Sequence, residues 1–175
     1  MVITEKKGFT LIEILIVVAI IAILASIVLV GLGPTQQSGR DARRLSDLHE
    51  VQNGLELYYN KCGNYPGDAS CSGPVGTVLY SGTTNYYGGM VDSLTKAAIG
   101  INAGSLPQDP SNGQAYFYGV TALTTPTSYV LGAKLENGNN SVFTNYTPPV
   151  ITGYQGDTAG LASCAASAKV YCVTL

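Results

Sequence analysis

The feature that most constrains this chain is an apolar run of 19 residues near its N-terminus, from Ile14 to Leu32. Only Ser26 within it is markedly polar. At 1.5 Å per residue, a helix of this length is roughly 28 Å long, which is about the hydrocarbon thickness of a bilayer. The run is longer than the apolar part of a cleaved secretory signal, and its alanines lie inside it rather than after it. We therefore expect a helix that crosses a membrane once.

An acidic residue, Glu13, lies at the edge of this run, directly after Leu11 and Ile12. A charged side chain costs on the order of 2–3 kcal/mol at the centre of a membrane and less near its edge. A plain anchor has no need of such a residue. Glu13 is therefore either a functional group with a partner or an edge residue that reaches the interface.

Glu13 closes an ordered string that begins with two basic residues, Lys6-Lys7-Gly8-Phe9-Thr10-Leu11-Ile12-Glu13. Over residues 6–30 the chain resembles type IV prepilins and pseudopilins, which carry a class III leader. In that family a membrane aspartyl peptidase cleaves after the glycine and methylates the new N-terminus. The resemblance implies a leader of residues 1–8, cleavage between Gly8 and Phe9, and a cytoplasmic N-terminus.

The same resemblance supplies a partner for Glu13. Cleavage would leave a positive amine on Phe9, and Glu13 lies four residues further on, on the same helix face. In a filament Glu13 would meet either this amine or the amine of a neighbouring subunit. A charge pair in a dry core is directional, so we expect Glu13 to fix the axial register between apolar helices. Specificity, rather than net stability, is the better attested effect of such a pair.

Beyond the membrane the helix is expected to continue with one apolar face. Gly31-Leu32-Gly33-Pro34 contains helix breakers, so we expect a kink or a short loop around residues 31–38. Between residues 40 and 60 the apolar positions recur at three- and four-residue steps. They are Leu45, Leu48, Val51, Leu55 and Tyr58, while Arg43, Asp47, Glu50 and Glu56 mark the other faces. We assign residues 9–33 to the transmembrane and assembly helix and residues 34–61 to its amphipathic continuation.

Residues 62–175 are predicted to form an extracytoplasmic, β-rich head. Eleven of the chain's 20 charged residues lie within residues 1–60, and the remaining stretch is rich in Gly, Ser, Thr, Asn and Tyr. Such a composition suits strands and turns better than long helices. We expect a loop over 67–89, a short helix over 90–99 and strands near 115–121, 128–136 and 140–146.

Two further strings, Tyr65-Pro66 and Leu106-Pro107-Gln108-Asp109-Pro110, are similar to major pseudopilins of type II secretion. The resemblance implies a pilin-like α+β fold, in which a long N-terminal helix packs on a small antiparallel sheet. Major pseudopilins bind calcium in a C-terminal loop, but Asp109 and Asp157 supply too few acidic ligands for such a site. We therefore expect no metal and no cofactor.

Four cysteines, Cys62, Cys71, Cys164 and Cys172, all follow the apolar run. An even number in a translocated domain favours disulfides, and four cysteines allow three pairings. We expect the local pairs Cys62–Cys71 and Cys164–Cys172, each of which closes a short loop. The alternative, free or metal-bound thiols, is less favoured, because zinc sites usually show shorter gaps and partner histidines.

The functional inventory favours a structural subunit over an enzyme. The only histidine, His49, has no cysteine or acidic cluster nearby in the sequence, and there is no phosphate-binding loop. The net charge of −2 indicates no nucleic-acid site. We expect the chain to form a homo-oligomeric pilus-like filament, with a prepilin peptidase, the assembly machinery and the membrane as its partners. Before assembly it would cross the cytoplasmic membrane once, and the filament would be extracytoplasmic or on the cell surface. A type II secretion pseudopilin and a membrane-tethered ligand-binding head are the alternatives.

Overall fold

The computed structural model describes residues 8–67, 71, 86–112, 114–122, 124–157 and 164–175. Contacts divide the chain into two units, Met1–Gln37 and Ser38–Leu175. The described helices are α1 (Leu11–Cys62) and α2 (Tyr86–Lys96), with short 3₁₀ turns at Ala103–Ser105, Ser141–Phe143 and Ala166–Ala168. The described strands are β1 (Phe117–Val120), β2 (Tyr129–Lys134), β3 (Gln155–Gly156) and β4 (Val170–Thr174). A long N-terminal helix followed by a small antiparallel sheet confirms the predicted α+β class.

Helix α1 is continuous from Leu11 to Cys62 and includes Pro34. The prediction for residues 31–38 is a kink or a short loop; the continuous helix contradicts the loop, and the kink stays a prediction. Proline removes one backbone donor, but its fixed φ near −65° is helical, so the turns on either side can continue the helix. At its C-terminal end the helix closes on Gly63, which has a φ of 74° and donates its N–H to the carbonyl oxygen of Tyr59 at 2.8 Å. A glycine in the left-handed conformation commonly ends a helix, so Gly63 is a stop signal that can be read from the sequence.

The second half of α1 forms one side of the head's core. Four of the five expected apolar positions are buried, and Leu45 is half-buried. Each fully buried aliphatic side chain contributes about 1.5–3 kcal/mol, so this stripe holds the helix against the sheet more strongly than helix propensity does. The residues that it meets come from α2, the turn before β1, and the sheet, and include Met90, Leu94, Leu106, Tyr118, Tyr129 and Leu131.

The sheet has the strand order β3-β1-β2-β4, and all neighbouring strands are antiparallel. β1 and β2 lie within the expected segments 115–121 and 128–136, which confirms those two predictions. The strand expected at 140–146 is wrong, because this segment contains a 3₁₀ turn. The Asn140 side chain accepts the N–H of Val142 at 3.1 Å and so competes with an extended backbone. The strand that borders β2 is instead β4, close to the C-terminal end of the chain.

Strand β3 is only two residues long and approaches β1 unusually closely. Gly156 has a φ of 144°, and a Cβ built there would lie 2.4 Å from the carbonyl oxygen of Tyr118. A side chain at this position would therefore force the two strands apart. The next residue, Asp157, accepts hydrogen bonds from the backbone N–H of Tyr86, Tyr87 and Tyr118, each at 3.2 Å. One carboxylate thus joins the start of α2 to the edge of β1.

The cysteines pair locally in the structure, as Cys62–Cys71 and Cys164–Cys172, with Cα atoms 5.3 and 5.7 Å apart. Helix α2 begins at Tyr86, four residues before the start of the short helix expected at 90–99. Most of the loop expected at 67–89 lies outside the described residues. The two bridges tie the end of α1 and the middle of β4 to the segments beside them.

Candidate processing and assembly site

Gly8, Phe9 and Thr10 directly precede α1. The Phe9 side chain is 85% exposed. A Cβ built on Gly8 meets no atom within 4 Å, and its φ lies outside the left-handed region. The fold of this chain therefore does not require glycine at position 8. A requirement for glycine there must come from whatever acts on this peptide bond.

Thr10 and Glu13 form a reciprocal cap at the start of α1. The N–H and the hydroxyl of Thr10 both donate to Oε2 of Glu13, at 2.8 and 2.7 Å. The N–H of Glu13 donates to the Thr10 hydroxyl oxygen at 3.3 Å. This is the capping-box arrangement, which satisfies backbone donors that the first turn of a helix leaves without partners.

The capping role of Thr10 is a site feature that the sequence analysis missed. The signal was present, because threonine followed three residues later by glutamate, just before an apolar run, is the pattern of a capping box. The cap explains part of the anomaly of Glu13. A carboxylate at a helix N-terminus also interacts favourably with the helix dipole.

Capping does not occupy the whole carboxylate of Glu13. Both bonds from Thr10 end on Oε2, while Oε1 has no hydrogen-bond partner among the described residues. An ionised carboxylate has about four acceptor positions on its two oxygens. The arrangement can therefore cap its own helix and still accept a hydrogen bond from a cation.

The apolar surface that follows is not covered by any of the residues that the structure describes. The large apolar side chains from Ile14 to Val28 are between 51% and 66% exposed. By its length and composition, helix α1 is apolar enough to cross a membrane. The hydroxyl of Ser26 donates to the carbonyl oxygen of Ile23 at 2.7 Å, which satisfies this polar group within the helix. Lipid, or other apolar helices, must cover this surface.

In the head, a buried charge cluster fixes α1 to the sheet. Arg44 is fully buried, and its five N–H groups donate to Asp41, Asp109, Ser111 and Glu136 at 2.7–3.0 Å. The contact with Asp109 is bidentate, with two hydrogen bonds of 2.7 and 2.9 Å to its two carboxylate oxygens. This contact raises the pKa of Arg44 above its ordinary value, so the guanidinium stays charged although it is buried.

The carboxylates of the cluster also hold the chain after β2. Asp41 is fully buried and accepts the backbone N–H of Glu136 and of Asn137, each at 2.9 Å. Arg40 donates to both oxygens of Glu136, at 2.7 and 2.5 Å. The hydrogen bonds from Arg40 lower the pKa of Glu136 to about 2. The cluster thus joins the first helical turns of the head to the end of its central strand.

These roles were not predicted from the sequence. Asp47 was expected on a face of the helix other than the apolar one, yet it is buried and accepts the Tyr116 hydroxyl at 2.5 Å. A signal was available in the helix pattern. Arg44 follows Asp41 by three residues, and Leu48 of the apolar stripe follows Arg44 by four. Residues at these steps share one helix face, so both charges fall on the buried face.

The two aspartates considered as calcium ligands are both used inside the head. Asp109 accepts from Arg44 and from the N–H of Ser111, while Asp157 accepts three backbone N–H groups. Burial raises the pKa of Asp157 above its ordinary value. Within the described ranges, no three His, Cys, Asp or Glu residues come together in a group that could hold a metal ion.

We expect Arg44→Met to destabilise the head by about 3–5 kcal/mol, because it leaves the buried carboxylates of Asp41 and Asp109 without their cation. The matched control is Arg43→Met, since Arg43 is 63% exposed and forms one long ion pair at 3.8 Å. The control should change the free energy of unfolding by less than about 1 kcal/mol. All 12 tyrosines lie between residues 58 and 171, so their near-ultraviolet circular dichroism during urea unfolding in detergent follows the unfolding of this part of the chain. Equal losses in the two variants would contradict the role of the cluster.

The charge cluster also predicts a dependence on acid. The pKa of Glu136 is lowered from 4.5 to about 2 in the folded head, so its contribution to stability is present above pH 4.5. That contribution should disappear as the pH falls from 4.5 towards 2. The difference in unfolding free energy between the wild type and Glu136→Gln should therefore be constant near neutral pH and shrink across this window. A difference in unfolding free energy that stays constant down to pH 2 would contradict the contribution of Glu136 to stability.

Comparison with known proteins shows which families and proteins this sequence is similar to. Residues 4–29 match the family model described as the prokaryotic N-terminal methylation motif. The chain is 34% identical over 62 residues to the type II secretion system core protein G of Escherichia coli (strain K12), which covers 35% of this chain and 43% of that protein. The corresponding protein of Aeromonas hydrophila is 33% identical over the same length and coverage.

A longer similarity, 35% identity over 101 residues, relates the chain to the fimbrial protein EcpC of Eikenella corrodens. It covers 55% of this chain and 58% of that protein. The chain thus spans about two fifths to three fifths of the curated relatives it matches, and no solved structure matches it significantly. The predicted resemblance is confirmed: the chain carries the N-terminal methylation motif of type IV pilins and pseudopilins, and it is similar to proteins of both kinds.

Proposed function

We propose that the chain is a structural subunit of a type IV pilus-like filament. In this proposal it is stored in the cytoplasmic membrane, cleaved after Gly8 by a prepilin peptidase, and polymerised through its N-terminal helix. The observation that carries the proposal is the methylation motif on a helix whose apolar surface the chain leaves exposed. Lipid covers that surface before assembly, and the helices of other copies cover it afterwards. The role is structural rather than enzymatic.

A pseudopilin of a type II secretion system is the second candidate. The similarity to core protein G supports it, whereas the longer similarity to a fimbrial protein supports the pilus. Both versions require the same processing and the same helical core. They differ in the machinery that assembles the filament and in the use of the head.

A membrane-tethered ligand-binding head is less favoured by the described residues. A groove of about 270 Å³ lies beside the turn at 106–109 and is lined by Tyr87 and Tyr116. Both hydroxyls are already used, by the carbonyl oxygen of Pro107 at 2.8 Å and by Asp47. Ligand pockets usually offer convergent polar groups, and these two do not point their donors into the groove.

The geometry of Glu13 supports a register contact between subunits. Cleavage would turn the Phe9 nitrogen into an amine, and Oε1 of Glu13 is available while Oε2 stays on Thr10. A neighbouring amine that reaches Oε1 would gain a charge-assisted hydrogen bond without breaking the cap. Helices that slide out of register would leave both charges without partners in a dry core, which costs several kcal/mol. The pair therefore selects one axial offset.

Three variants separate register from capping. Glu13→Ala removes both the charge and the cap, whereas Glu13→Gln removes the charge and keeps a side chain that suits a capping box. Thr10→Ala keeps the charge and weakens the cap by about 1 kcal/mol. We expect both Glu13 variants to be inserted and cleaved but to yield few filaments, and Thr10→Ala to yield filaments. Electron microscopy and the pelleted fraction of sheared material measure assembly. Normal filaments from Glu13→Gln would show that capping alone is the role of Glu13.

The processing step is tested at Gly8. Because a Cβ at this position meets nothing within 4 Å, Gly8→Val should leave the fold unchanged but block cleavage. The matched control is Gly39→Val, where a Cβ also meets nothing within 4 Å. Mass spectrometry of the wild type and the control should give a mature N-terminus at methylated Phe9. Efficient cleavage of Gly8→Val, or a different N-terminus in the wild type, would contradict the proposed processing.

A further inference from the structure

The four-stranded sheet of the head has two edges of unequal length. On one side it ends with β3, which is only two residues long, and on the other with β4, which has five residues. An exposed strand edge presents unpaired N–H and C=O groups that can pair with another chain, and very short edge strands are one way to avoid this. β4 is too long to be protected in this way, so its outer side needs some other means of preventing pairing with another chain.

The hydroxyl of Tyr146 lies on the outer side of β4, at its central residue. The N–H of Cys172 donates to the Tyr146 oxygen at 2.9 Å, and the Tyr146 hydroxyl donates to the Cys172 carbonyl oxygen at 3.3 Å. Cys172 lies opposite Gly132 in β2, so its two backbone groups point away from that partner. The Tyr146 side chain thus occupies both backbone groups of Cys172 that an added strand would use.

The neighbouring outward groups follow from the alternation of an antiparallel pair. Val170 and Thr174, two residues on either side of Cys172, also point their N–H and C=O groups outward. The N–H of Val170 donates to the carbonyl oxygen of Ala165 at 3.1 Å. The N–H of Thr174 has no partner among the residues that the structure describes. Two of the three outward N–H groups of β4, those of Val170 and Cys172, are therefore bonded within the described part of the chain.

The Tyr146 ring is held in place by two other aromatic rings. Its centroid lies 5.1 Å from that of Tyr171, on β4 itself, and 5.7 Å from that of Phe143. Packing against these rings reduces the number of orientations that the Tyr146 side chain can adopt. The hydroxyl is thereby positioned on the strand, where an ordinary surface tyrosine would extend into water.

The sequence of β4 indicates what the edge would bind if it were open. Val170-Tyr171-Cys172-Val173-Thr174 contains no charge, no proline and no glycine, and its residues favour extended structure. Two copies that pair antiparallel about Cys172 would set Val170 of one against Thr174 of the other. This segment is therefore complementary to itself.

We propose that Tyr146 closes the β4 edge and prevents the heads of two copies of this chain from pairing strand to strand. The inference does not depend on polymerisation through the N-terminal helix. It concerns only the head, and it applies wherever heads meet at high concentration, including in a membrane. Removal of one hydroxyl should be enough to open the edge.

The test uses the full chain in detergent and compares Tyr146→Phe with Tyr171→Phe. Both changes keep a ring in the same aromatic group, but only the first removes the hydroxyl that bonds Cys172. Light scattering after size exclusion measures association over a range of concentrations. We expect Tyr146→Phe to associate at a concentration at least about tenfold below that of the wild type, the factor that roughly 1.4 kcal/mol gives. Tyr171→Phe should behave like the wild type.

A second change shows whether association occurs through β4. Thr174→Pro removes an outward N–H and places a proline on an edge, where it is tolerated and blocks further pairing. In the Tyr146→Phe background it should restore the wild-type state of association. Association that persists in the double variant would overturn the proposal, as would a Tyr146→Phe chain that associates no more than the wild type.

Hydrogen exchange of the wild type gives a test that needs no variant. The Cys172 amide should exchange on the order of tenfold more slowly than the Thr174 amide, because only the first is bonded to the Tyr146 hydroxyl. Equal exchange rates would show that the edge is open, and the proposal would then be wrong even if Tyr146→Phe did not fold.

Discussion

The exposed apolar surface of α1 is the constraint on which the rest of this molecule depends. From Ile14 to Val28 the large apolar side chains are more than half exposed, and no side chain in the described part of the chain covers them. Such a surface must lie in lipid or against other helices of the same kind. Under the proposed function, storage in a membrane and assembly into a filament would be two solutions to the same problem, the exposure of this apolar surface to water.

Glu13 lies at the start of that surface, and under the proposed assembly it would have two roles. In the isolated chain it caps its own helix through Thr10, and it keeps one carboxylate oxygen available. Apolar helices slide past one another with little preference, since dispersion contacts are similar at many offsets. A charged group that requires one partner removes this freedom. The capping bonds also fix the orientation of the carboxylate before any partner arrives.

The features predicted from sequence are those that depend on local patterns. The apolar N-terminal helix follows from an uninterrupted apolar run, the stripe from Leu48 to Tyr58 from periodicity, and the first two strands from composition. Among the features that were missed, the Thr10–Glu13 cap is local, whereas the charge cluster depends on contacts distant in sequence. Arg44 meets Asp109 and Glu136 across 65 and 92 residues, and no local pattern specifies such partners. The strand prediction at 140–146 is wrong because the Asn140 side chain accepts the backbone N–H of Val142, which favours a turn over a strand.

The most direct test of the central claim is a helical reconstruction of filaments assembled from the mature protein. The account predicts that residues 14–32 of neighbouring copies pack together in the filament core. It also predicts that the Glu13 carboxylate of one copy lies within about 3 Å of the Phe9 nitrogen of the next, as a charge-assisted hydrogen bond requires. Filaments held together by contacts between heads, with the apolar helices left in lipid or detergent, would contradict it.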